Sequence, residues 1–435
     1  VSGTEPKATI TNSNTNEIIK EILCNDISSA EFSPLGTYLI TWSRYNVTGS
    51  TNLHPGTGNL RVWNVQSGEL ITHYSQKSQK KNVIQWSHNE HLCMKIVSNE
   101  IHILDGHNIT AGIKCKIRCK NIAEFSLAYG TMPCKYAYCD VACFAASISG
   151  NPAQISLYRI KHDSPSDIGT NNSWYTNTTN NTDTTNTTNT DTGVTVEGPV
   201  VSRSAMFNAN EATILWNNPI NSVVLIYTHS DVDSSGASYY GSTGAYLLAC
   251  PVPPINGSSS IPHRIVQNVA IQVPQTKAGP IYDLSWSPTG LHFALVGGTM
   301  PSNATLYSIQ GDPIYEFGSN HRNTICWSPH GRFFCIAGLG NLQGEIDFYE
   351  INIENKNKIK KLGNASAHCT VQYGYSPDSR YFMTSILSPR MNVDNGICIY
   401  KYNGKPVFKY ECEKSPKKTN SLAYSCMWRP SNGGI

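Results

Sequence analysis

The chain has 435 residues, of which 39% are hydrophobic and 10% aromatic, and its formal charge is +3 at neutral pH. That content supports a packed core, and the near-balance of charge gives no whole-chain argument for nucleic acid. No run approaches the ~18 apolar residues of a membrane helix, which excludes a helical membrane span, and no signal peptide is visible, although the chain starts at Val1 rather than Met.

The first predicted element is a hairpin, 7–11 and 17–23, resembling the two outer strands of a propeller blade. Glu31-Phe32-Ser33-Pro34-Leu35-Gly36 then opens a phrase that recurs along the chain: a hydrophobic pair followed by Ser-Pro-x-Gly. Close copies are Ser285-Trp286-Ser287-Pro288-Thr289-Gly290 and Cys326-Trp327-Ser328-Pro329-His330-Gly331. Looser ones surround Trp86, Trp216, Tyr375 and Trp428, and Phe125 is the weakest of eight anchors. Trp286 and Trp327 are 41 residues apart, and Trp327 and Tyr375 are 48 apart, close to the ~40–45 residues of a four-stranded blade. Such repeats bury their apolar faces against one another, so one long domain, 1–435, is expected.

The clearest repeat predicts an inner strand over 323–328, a tight Pro-His-Gly turn, and strands over 332–338, 345–351 and 358–362. Its neighbours predict outer strands over 304–309 and 313–317, and over 397–402 and 406–410. All are rich in β-branched and aromatic residues. Residues 162–198 are mostly Asn, Thr, Ser and Asp. They cannot bury enough apolar surface to offset their ordering entropy, and predict a disordered insertion within a loop or hairpin. The 14 cysteines and the sequons at Asn46, Asn108, Asn177, Asn256, Asn303 and Asn364 would suit a secreted, disulfide-linked protein. Several Cys (Cys326, Cys335, Cys398, Cys426) instead fall in strand-like runs as small hydrophobes, so a cytoplasmic chain is expected. No zinc spacing is present, and neither metal nor cofactor is expected.

Several phrases are more specific than a generic propeller: Ser230-Asp231-Val232-Asp233, Ser238-Tyr239-Tyr240-Gly241, Gly298-Thr299-Met300-Pro301, Ser319-Asn320-His321-Arg322-Asn323, Ala337-Gly338-Leu339-Gly340-Asn341, and Ser388-Pro389-Arg390-Met391-Asn392. In this order they resemble the eukaryotic translation initiation factor 2A family, from about 7 to 430. The resemblance implies an all-β, WD40-like propeller of nine blades, eight of which have visible anchors. It implies a non-catalytic scaffold that binds the small ribosomal subunit and assists delivery of initiator methionyl-tRNA without GTP. Initiator tRNA, mRNA and other initiation factors are the implied partners, with no membrane and a monomeric state. The family pattern also includes a further anchor before the hairpin and a lysine-rich tail, which this sequence lacks.

In a four-stranded blade the second-to-third strand loops and the blade-to-blade loops leave from one end, and the family phrases fall on those loops. Rigid scaffolds carry function on such loops. Arg322 and Arg390 offer planar forks for phosphate, with a loop-bracing salt bridge as the alternative. Tyr239 and Tyr240 could stack on a base or anchor their loop. Asp231 and Asp233 cap a turn more readily than they hold calcium. Arg44, His321, Asn323, Asn341 and Asn392 complete the candidate ribosome- or RNA-binding set. A propeller adaptor that binds only proteins, like the propeller subunit of initiation factor 3, is the alternative function. No catalytic triad or phosphate-cradling motif supports an enzyme.

Overall fold

The computed structural model describes residues 7–11, 18–23, 27–45, 58–77, 83–128, 138–148, 151–162, 194–206, 209–218, 220, 223–230, 241–249, 270–352, 358–388, 390–391, 394–412, 426 and 428. They form strands without a helix. β1 (Lys7–Thr11) and β2 (Ile18–Leu23) pair as a two-stranded sheet. Seven four-stranded antiparallel meanders follow, each pairing consecutive strands. They are β3–β6 (Ile27–Phe32, Tyr38–Ser43, Leu60–Asn64, Leu70–Tyr74) and β7–β10 (Ile84–Trp86, Leu92–Val97, Glu100–Asp105, Ile113–Arg118). Next are β11–β14 (Ile122–Leu127, Tyr138–Ala145, Ala153–His162, Val194–Met206) and β15–β18 (Glu211–Trp216, Val223–Ser230, Ser242–Ala249, Ile271–Gln272). The last three are β19–β22 (Ile281–Trp286, His292–Gly297, Ser302–Ser308, Pro313–Asn320), β23–β26 (Thr324–Trp327, Phe333–Ala337, Glu345–Asn352, Lys358–Ser366) and β27–β30 (Gln372–Tyr375, Tyr381–Ile386, Gly396–Lys401, Pro406–Glu411).

The expected hairpin and outer strands are therefore present, with ends shifted by a few residues. Of the expected insertion 162–198, His162 ends β13 and Val194 begins β14; residues 163–193 lie outside the described residues. The chain divides into two compact units, Val1–Ala145 with Ile155–Val200, and Ala146–Gln154 with Val201–Ile435.

Within each unit the core lies between consecutive sheets. Ala294, Val296 and Leu306 of β19–β22 pack on Ile325, Phe334, Ile336 and Tyr349 of β23–β26. The other face of β23–β26, carrying Cys335, Ala337 and Phe348, packs on Tyr375, Phe382 and Tyr400 of β27–β30. The period-2 alternation of each strand thus feeds two interfaces, which is why these runs read as nearly continuous apolar stretches. The described cysteines are free thiols, and Cys93 and Cys139 sit in these cores with burial pushing their thiols up, Cys139 to about 12.

The recurring Ser-Pro-x-Gly phrase has a local cause. The serine hydroxyl accepts the backbone N–H five residues on, in Ser33–Tyr38 (2.9 Å), Ser87–Leu92 (3.0 Å), Ser328–Phe333 (3.0 Å) and Ser376–Tyr381 (3.0 Å). The fourth residue closes the turn onto the serine carbonyl, as Gly36 does on Ser33 at 2.9 Å. It needs positive φ: +79° at Gly36, +69° at Gly290 and +71° at Gly331. In two looser copies the place is held by Glu90 (φ 56°) and Ser379 (φ 60°). Both side chains reach the turn of the preceding sheet: Leu35 N–H donates to Glu90 Oε1 at 2.7 Å, and His330 Nδ1 lies 2.6 Å from Ser379 Oγ. At Gly290 the backbones themselves touch, since a Cβ there would lie 2.7 Å from the Asn217 carbonyl oxygen. These turns latch neighbouring sheets together at one end.

The anchors fill a second inter-sheet contact. Trp286 Nε1 donates to the Leu215 carbonyl at 3.1 Å and Trp428 Nε1 to the Gly374 carbonyl at 3.0 Å, one inner strand back in each case. Trp86, Phe125, Trp216 and Tyr375 are buried. Phe32 departs from the expectation: it is 52% exposed. Among the described residues the sheet before it, β1–β2, has two strands and no inner strand to cover that ring.

Candidate functional site

Within the second unit, the loops joining second to third strands and those joining one sheet to the next leave from the same end, opposite the latching turns. They touch in sequence order. The loop between β22 and β23 carries His321, Arg322 and Asn323. His321 is exposed, and its backbone carbonyl presses on Gly338, where a Cβ would approach to 2.0 Å. That close approach explains the glycine after Ala337.

Arg322 does not present a fork to solvent. Its side chain is 7% exposed; Nη1 donates to the Phe317 carbonyl at 3.2 Å, and Nη2 donates to Asp347 Oδ2. Lys361 Nζ holds the other Asp347 oxygen at 2.6 Å. The guanidinium is taken up by a buried carboxylate, the loop-bracing ion pair that stood as the alternative to a phosphate contact. Ser302 Oγ adds a hydrogen bond to the Arg322 carbonyl at 2.5 Å.

Asn323 is also committed inward. Its Oδ1 accepts Leu339 N–H at 2.9 Å and its Nδ2 donates to the Leu339 carbonyl at 3.0 Å. The side chain thus imitates a strand partner and fastens loop 338–344, rather than offering its amide outward. At the tip of that loop Gly340 has φ +72°. Asn341 is exposed there, and its Oδ1 accepts Arg390 Nη2 at 2.7 Å from the corresponding loop of β27–β30. Arg390 itself is exposed and lies across Gly340, where a Cβ would sit 3.3 Å from Nη2. Its loop is pinned from beneath, by Asn395 Nδ2 on the Met391 carbonyl at 2.5 Å and Met391 N–H on the Leu387 carbonyl at 3.1 Å.

The structure therefore brings together His321, Asn341 and Arg390 on the surface, with Arg322 and Asn323 beneath them. Exposed acids stand among them, since Glu345 accepts Asn320 Nδ2 at 3.0 Å. The surface is mixed in charge rather than a basic field. Arg44 is exposed after β4, in the first unit. Asp231, Asp233, Tyr239, Tyr240 and Asn392 lie outside the described residues. Sequence reasoning missed Asp347 and Lys361 as the partners of Arg322. An inward Asp two residues into a strand whose neighbours are Ile and Phe was the available signal.

The sequence profile described as "Eukaryotic translation initiation factor eIF2A" matches residues 204–415. A eukaryotic translation initiation factor 2A of Dictyostelium discoideum is 32% identical over 94% of this chain and 55% of its own length. The chain belongs to the eukaryotic translation initiation factor 2A family. Its Schizosaccharomyces pombe relative is 29% identical over 92% of the chain and 57% of its own length. The chain thus spans just over half the length of these curated relatives. A solved structure titled "Crystal structure of the eukaryotic initiation factor" superposes with a TM-score of 0.72 at 25% identity, over 98% of this chain and 87% of that one. The fold class is the all-β propeller, with the four-stranded sheets as blades. Seven complete blades and one two-stranded sheet are present among the described residues.

Proposed function

We propose that this chain is the propeller part of a translation initiation factor, acting in the cytoplasm as a monomeric, non-catalytic scaffold without a cofactor. It docks on the small ribosomal subunit through the loop end of the second unit and assists delivery of initiator methionyl-tRNA independently of GTP. Membership of the initiation factor 2A family carries the reading. The exposed Arg390, Asn341 and His321 support that choice of surface. Arg390 leaves most of its five donors directed away from its bond to Asn341, available to a phosphate oxygen. Residues 231–240 and Asn392, which carry the remaining candidates, join the same proposal by their place in the sequence. Initiator tRNA, mRNA and other initiation factors are the proposed further partners.

The test is co-sedimentation with purified small subunits over a salt series from about 50 to about 300 mM. An Arg390→Ala, His321→Ala double variant is expected to lose binding while keeping its melting temperature. Unchanged binding by that variant sinks the proposed surface. Binding that resists salt and survives ribonuclease treatment of the ribosomal RNA transfers the contact to a protein and favours the adaptor reading.

A further inference from the structure

The first unit holds a cavity of about 440 Å³ that the ribosome reading does not use. It opens at the loop end of blades β3–β6, β7–β10 and β11–β14. Its wall is aliphatic: Val83 and Ile84 enter β7, Ile96 and Val97 end β8, and Ile122 starts β11. Val97 is 37% exposed, an unusual setting for a valine at the close of a core strand. Two rings, Tyr74 and Phe125, also line it; Lys95 Nζ lies 3.5 Å over the centre of the Tyr74 ring, and Phe125 is 1% exposed.

We propose that this cavity binds a protein segment in extended form, seating one or two apolar side chains flanked by acidic residues. Three observations argue for that occupant. The volume falls in the range of about 300–1,000 Å³ typical of binding sites, and the branched aliphatic wall suits an aliphatic or phenyl group. A nucleobase would need an open aromatic face, but Lys95 covers the face of Tyr74 and Phe125 is packed into the core. Among the described lining residues Lys95 stands with one carboxylate, Glu124; along the chain exposed Lys77 follows Gln76 and exposed Lys120 lies two residues before Ile122, while Glu100, in register with Val97, is already paired with Lys116 and Arg118. Acidic flanks complement these lysines, since Glu100 is already held by its own cations.

The experiment uses the whole 435-residue chain and three fluorescein-labelled octapeptides, read by fluorescence anisotropy. One has a central Leu-Phe pair between Asp and Glu residues. The second replaces the pair with Ser-Ser, and the third replaces the acids with lysines. The acidic Leu-Phe peptide is expected to bind roughly tenfold tighter than either control, and Val97→Glu and Ile122→Glu to weaken it by at least about tenfold. Lys95→Glu should shift preference towards the basic peptide. The comparison among peptides needs no variant, so a misfolded variant does not protect the idea. Equal binding of the three peptides overturns it. So does a labelled single-stranded RNA octamer whose binding is lost in Val97→Glu while the acidic peptide fails to bind. Small-subunit co-sedimentation is expected to be unchanged by Val97→Glu, since this site and the ribosome surface stand or fall separately.

Discussion

At the scale of single residues, the candidate surface separates into groups that face outward and groups that hold them. Arg322 belongs to the second kind. Removing it leaves Asp347 buried with Lys361 as its remaining cation, and breaking one side of a buried pair typically costs about 3 kcal/mol or more. Arg322→Ala is therefore expected to lower the denaturant midpoint clearly, while Arg390→Ala, at an exposed bond, changes it little. Equal midpoints for the two variants would contradict the assignment. Glu90 gives a pH prediction. Burial alone would raise its carboxyl, but the nearby polar groups of Ser33 and Thr37 and the Leu35 N–H bonded to Oε1 outweigh it and hold the group below its ordinary 4.5. The ionised form is the one favoured by folding. Its contribution is present above pH 4.5 and is lost as pH falls through the lowered value. Melting temperatures between about pH 3 and pH 6 should fall more steeply for the wild type than for Glu90→Gln; parallel curves would refute the latch. The arginines show where sequence reading stopped: Arg322 and Arg390 sit in similar Asn-rich loops, and what separates them is a carboxylate 25 residues away in the chain, visible after folding alone.

At the scale of elements, the Ser-Pro-x-Gly phrase was readable because its cause is local. A hydroxyl, a proline and a positive φ all act within six residues. What the phrase could not tell was that the turns also fit one another sideways. Gly290 serves both needs, with φ +69° and the Asn217 carbonyl against it. Gly290→Ala is expected to destabilise by about 2 kcal/mol or more, combining left-handed strain with crowding. Ser379→Gly should be much milder, because relief of strain offsets the lost hydrogen bond to His330. A thermal scan of both variants checks the order. Strand ends were the least legible feature. β26 and β22 run three to four residues past their apolar stretches, through polar ends such as Asn364–Ser366 that pair with a neighbour instead of filling a core.

At the scale of the whole molecule, repeat spacing carried the fold class, while the outward surface depended on which loops meet. The mixed charge of that surface predicts a shallow salt dependence for small-subunit binding by this chain, with one or two phosphate contacts rather than the six to ten of a strongly basic binder. A slope of log affinity against log salt steeper than about −4 would point to cations elsewhere. One further consequence follows from β13 and β14, the third and fourth strands of their sheet. The 31 residues between His162 and Val194 attach at the latching-turn end, across the sheet from its own loop end. Chain can be added or removed there without crowding the loop end of that same sheet. For the experimentalist this makes the stretch a natural docking bay for a fluorescent protein or affinity handle, carried by a blade without masking its working rim.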